Sequence, residues 1–114
     1  MQFTCTKENL INTLHNAIGS VARSNHLPIL THILFRAGEL GVEVLSTNLE
    51  QGMKAFLRAK VDLPGEFAVP AKMISDVSSL LPEGQVHVSI ERSELILSSG
   101  SSSIKIKGTT SEDF

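Results

Sequence analysis

Two stretches of this chain carry the same order of patterns, a short alternating strand, an amphipathic helix, then three more strands, and that repeat restricts the folds open to it. In the first stretch Gln2–Thr6 alternates polar and apolar residues, as a half-buried strand does. Leu10, Ile11, Leu14, Ala17 and Ile18 then recur at helical spacing, with Thr6 placed as N-cap, Glu8 in the first turn and Gly19-Ser20 as the stop. Val21–His26 reads as a polar loop. Strands are expected at Ile29–Arg36, Val42–Ser46 and Met53–Val61, separated by turn chemistry at Ala37–Gly41 and a corner at Asn48–Gly52. In the second stretch Glu66–Val69 is the strand, and a helix follows Pro70. That helix presents Met73, Ile74, Val77, Leu80 and Leu81, and Pro82-Glu83-Gly84 stops it. Gln85–Ile90, Glu94–Ser98 and Ser102–Lys107 are the last three strands.

The repeat is one of organisation; no clear residue identity accompanies it. Two such units can set their sheets side by side with both helices on one face, giving a pseudo-symmetric α+β domain. With 114 residues there is room for one domain. Trp and Tyr are absent, so the core must be aliphatic, helped by five Phe. Residues 1–108 are expected to form that domain. The polar run 109–114, ending Glu112-Asp113-Phe114, reads as the start of an interdomain linker at which the chain has been cut. No secretory leader pattern opens the sequence and no apolar stretch reaches membrane-spanning length, which points to the cytoplasm and to no membrane partner.

Catalytic patterns are missing. There is no G-x-S-x-G elbow, no phosphate-binding loop and no paired carboxylate, and His15, His26, His32 and His87 lack metal-ligand spacing. Cys5, the only cysteine, lies on the apolar phase of its strand, as a buried structural thiol does. No cofactor and no metal are expected. The net charge of −2 argues against a protein that holds nucleic acid through an overall positive field. Charge is nevertheless unevenly placed: Lys7, Arg23 and Lys72 sit at helix ends or the adjoining loop, where Glu8 and Asp76 are the few carboxylates. Such positions are ordinary solvated helix ends or a weak, sequence-independent track for phosphates. In the last strand Ile104 and Ile106 alternate with Lys105 and Lys107. That is the pattern of an edge strand defended by lysine, or of an edge that pairs with a partner strand.

Seven short motifs, in order, resemble the first domain of the bacterial sliding clamp family, the beta subunit of the replicative DNA polymerase III. They are Met1–Thr4, Leu27–Leu30, Thr47–Glu50, Val69–Lys72, Leu81–Gly84, Ser99-Gly100 and Asp113-Phe114. The resemblance spans essentially the whole chain and implies a DNA-clamp fold. It also implies a ring of two subunits, each of three such domains, that encloses duplex DNA, catalyses nothing, tethers the polymerase and is opened by a clamp loader. It places Arg23 and Ser24 in the DNA-facing loop, with Ser24 at the family's usual arginine, and Lys72 towards the duplex; Lys7 joins them as a DNA-binding candidate from its place at the start of the first helix. Ser101–Lys107 would then pair with the third domain of the other subunit, with Ile104 and Ile106 as its apolar part beside Lys105 and Lys107. Met73 and Ser101 stand where relatives carry basic residues for cross-subunit ion pairs. The competing expectation is a stand-alone α+β interaction module that uses the 101–108 edge and never meets DNA.

Overall fold

The computed structural model describes residues 1–18, 32–47 and 52–109. Its elements are β1 (Gln2–Thr6), α1 (Lys7–Ile18), β2 (His32–Gly38), β3 (Gly41–Thr47), β4 (Gly52–Leu57), β5 (Lys60–Leu63), β6 (Gly65–Pro70), α2 (Ala71–Ser79), β7 (Gln85–Glu91), β8 (Glu94–Ser99) and β9 (Ser102–Lys107). The Thr6 Oγ1 accepts a hydrogen bond from the Asn9 N–H at 3.1 Å, so Thr6 caps α1 as expected. The second helix has no side-chain cap; Pro70, held at φ −60°, sets its entry. The expected stop at Gly19-Ser20, the loop with Arg23 and Ser24, and the corner at 48–51 lie outside the described residues.

The strands form two antiparallel sheets, in the orders β5-β1-β7-β8-β9 and β4-β3-β2-β6. The units are not modules set beside each other. Each sends its first strand into the other's sheet: β1 pairs with β7, and β6 pairs with β2. The exchange interlocks the two units, and the symmetry it creates can be followed residue by residue. Phe3 and Phe67 hold matching positions in β1 and β6, as Leu10 and Ile74 do in α1 and α2, and all four are buried. Thr4 pairs with Lys60 of β5, and its counterpart Ala68 pairs with Thr109 through two backbone hydrogen bonds of 2.9 Å. Helix α1 packs on β4, β3 and β1; α2 packs on β6, β2 and β9; and the helices lie against each other.

One aliphatic core joins both sheets to both helices, with Phe3 and Phe35 in tilted contact at 6.0 Å between ring centroids. Cys5 is buried in it. The buried Ser46 hydroxyl donates to the carbonyl of Ala17 near the end of α1, and the Ser99 hydroxyl to the carbonyl of Gln85 at 2.9 Å. Ser78, which occupies in α2 the place of Leu14 in α1, buries a hydroxyl with no hydrogen-bond partner.

Two expectations are corrected. The stretch 53–61 is not one strand: β4 ends at Leu57, the chain crosses at Arg58-Ala59, and β5 joins the other sheet against β1. The apolar positions assigned to the second helix are not one buried face either. Its core side is Ala71, Ile74 and Ser78, with Leu81 following, whereas Met73 is 50% and Leu80 is 77% exposed.

Candidate interface edge and helix face

A sheet edge is chemically unfinished until something pairs with it. The edges here are β5 and β9 in one sheet and β4 and β6 in the other. The β6 edge carries the Thr109 bridge. The outer side of β9 has no strand partner among the described residues. In β9, Ile104 and Ile106 turn towards the core, and Lys105 and Lys107 are exposed on the opposite face. Ile106 is fully committed to the domain's own core, and Ile104 is only half-buried. Ser101 is exposed in the β8–β9 turn, where Gly100 adopts a φ of +58°.

The exposed side of α2 carries apolar residues of its own. Met73, Val77 and Leu80 are spaced i, i+4, i+7 and so form one stripe along the helix that packs on β9. Val77 is half-buried against the core; the other two are largely open. The matching positions of α1 are Asn9, Thr13 and Asn16. The two pseudo-equivalent helices therefore differ: this stripe is apolar on α2 and polar on α1. The sequence marks Met73 both as an apolar helix position and as an interface residue, and the structure exposes it on this stripe. The sequence marks Leu80 only as an apolar helix position. Its open position follows from Ala71, Ile74 and Ser78, a second stripe that the small side chains hide in the sequence.

The outward side of the helices is close to neutral. It exposes Glu8, Asn12, His15 and Asn16 on α1, and Lys72, Ser75, Asp76 and Ser79 on α2. Lys72 is exposed in the first turn of α2 and has no ion pair among the described residues. Lys7 is different: its side chain is largely buried, its Nζ lies 3.5 Å from Glu83 Oε1, and its backbone N–H donates to the Gly84 carbonyl at 2.8 Å. Lys7 thus ties α1 to the segment after α2, leaving Lys72 as the more available cation. Arg23 and Ser24 lie outside the described residues. No group of three His, Cys, Asp or Glu among the described residues could hold a metal ion, and burial pushes the Cys5 thiol up to about 12.

Two exchanged-strand sheets backed by paired helices, with open sheet edges, define an α+β domain. The chain belongs to the DNA polymerase III beta subunit family, whose N-terminal domain pattern matches residues 1–114. It is 29% identical over 116 residues to the beta sliding clamps of Salmonella typhimurium and Escherichia coli, and 22% identical over 123 residues to that of Bacillus subtilis. All of the chain is covered in each case, but only 32% of the relative, so it spans about a third of their length. Among solved structures, the Caulobacter crescentus pol III beta superposes with a TM-score of 0.86 at 27% identity, covering 100% of this chain and 31% of that one. The beta subunit from Streptococcus pyogenes superposes with a TM-score of 0.91 at 22% identity, covering 100% of this chain and 32% of that one, and supports the fold.

Proposed function

We propose that this domain is one arc of a non-catalytic ring that encircles duplex DNA and holds a DNA polymerase to it as a processivity factor in the bacterial cytoplasm. The β9–α2 end is half of a subunit junction, and the third domain of a second clamp subunit supplies the other half. The observation that carries this reading is the combination of an unpaired β9 edge with the apolar Met73–Val77–Leu80 stripe of α2, the helix that packs on β6, β2 and β9. Backbone pairing gives such a junction its register, and the apolar stripe gives it area to bury. Ile104 belongs to its apolar part, and Lys105, Lys107 and Ser101 to its polar rim.

The near-neutral helix face suits this role. A closed ring stays on DNA by topology, so its contacts can be few and weak: Lys72, the Arg23–Ser24 loop and, to a lesser degree, the already paired Lys7. Weak phosphate contacts are sequence-independent and salt-sensitive, as sliding requires. The polymerase and the clamp loader act through the full-length protein.

The test is dimerisation of the full-length protein by analytical ultracentrifugation. Leu80→Asp and Met73→Glu change exposed side chains and are expected to weaken the dimer at least tenfold while the circular dichroism spectrum of the 114-residue chain stays unchanged. Ile104→Asp should weaken it as well. Unaltered dimerisation in all three variants would remove the β9–α2 end from the junction.

A further inference from the structure

The outer face of the four-stranded sheet carries a second, separate apolar feature. One cross-strand row runs Glu66, Arg36, Glu43, Phe56 across β6, β2, β3 and β4. Its charges are largely matched: Arg36 Nε lies 3.3 Å from Glu66 Oε2, and Lys54 Nζ lies 3.1 Å from Glu43 Oε2. The row ends on Phe56, which is 58% exposed. At the neighbouring β2–β3 turn, Leu40 is 91% exposed. Between them lies a groove of about 580 Å³ lined by Arg36, Glu39, Leu40, Gly41, Glu43 and Phe56.

The groove is built rather than accidental. Gly41 has a φ of +126°, and a Cβ placed on it would stand 2.6 Å from the Phe56 ring. Glycine is what allows the tip of the Phe56 ring to lie against the turn. Glu39 at the rim has no ion pair among the described residues, in contrast to Arg36 and Glu43. The groove therefore offers two large apolar side chains beside one uncompensated negative charge.

We propose that this groove docks a short protein segment in which an aliphatic or aromatic side chain neighbours a lysine or arginine. The apolar side chain packs between Leu40 and Phe56, and its basic neighbour lies against Glu39. The groove lies on the outer face of the four-stranded sheet and uses neither β9 nor α2.

A blocked tetrapeptide of alternating lysine and leucine serves as the probe, titrated into the isotopically labelled 114-residue chain. Amide shifts should concentrate at Glu39, Leu40, Gly41 and Phe56. Leu40→Ser, at a turn position that cannot disturb the core, and Phe56→Ser should each raise Kd about tenfold, the factor expected from losing one aliphatic or aromatic contact. Replacing the peptide's lysines with glutamates should weaken binding at least as much. The proposal is overturned if shifts scatter over all acidic positions, if neither serine variant changes Kd, or if the glutamate peptide binds equally well. It is overturned too if the same amides shift with protein concentration alone, since the occupant would then be a second copy.

Discussion

Ile74 and Leu80 lie six residues apart in and just after α2, and both belong to the apolar pattern that marks the helix. Only one is core: Ile74 is 0% exposed against 77% for Leu80. Truncating a buried isoleucine to alanine removes its transfer energy and leaves a cavity, a loss of about 2–5 kcal/mol. A 114-residue domain unfolds with about 2.1 cal/mol/K per residue, or about 0.24 kcal/mol per degree, so a mid-range loss of about 3 kcal/mol lowers Tm by about 12 °C. Leu80→Ala removes little buried area and should stay within about 0.5 kcal/mol, or about 2 °C. Thermal and urea unfolding followed by circular dichroism is the assay, because the chain has no Trp to report fluorescence. Equal losses at the two positions would refute the division of α2 into a core face and an open stripe, and the interface drawn on that stripe with it.

Two further predictions concern local chemistry. The β7–β8 hairpin turns on Arg92 and Ser93, at φ 52° and 64°, a left-handed pair that suits glycine. Ser93→Gly should raise stability by about 1 kcal/mol, seen as a Tm gain of about 4 °C; a loss would show that the serine makes contacts that outweigh its backbone strain. Burial raises the Cys5 thiol from 9.0 to about 12. Above pH 9 the unfolded chain gives up this proton and the folded one keeps it, so Cys5 makes stability fall by about 1.4 kcal/mol per pH unit between 9 and 12. Urea unfolding at pH 8 and 10 should show this slope in the parent and lack it in Cys5→Ala. The same slope in both would place its origin elsewhere.

Much of the fold was legible because period-two and period-3.6 patterns survive in short segments. Thr6 as a cap, Cys5 as a buried thiol and the alternation of Ile104 and Ile106 with the lysines follow directly from them. The break at Arg58-Ala59 was not legible. Ala55, Leu57, Ala59 and Val61 all lie in or against the core, because both sheets face it and the chain changes sheets without changing which side is buried. The strand exchange was hidden for a related reason: alternation records the face a strand buries and says nothing of its neighbour. At the candidate interface the edge strand was visible as lysines beside isoleucines. The stripe on α2 was obscured because Ala71 and Ser78, rather than large side chains, share the core side with Ile74. The pairing of Lys7 with Glu83 joins segments far apart in sequence, and no local pattern announces it.

The central claim is topological, and the most direct measurement is retention on DNA. The full-length protein carrying this domain would be loaded onto nicked circular duplex by its loader, freed of unbound protein by gel filtration, and followed before and after the circle is cut. The protein is expected to stay on the intact circle and to leave promptly once an end is available. Equal rates of loss from intact and linearised circles would contradict it.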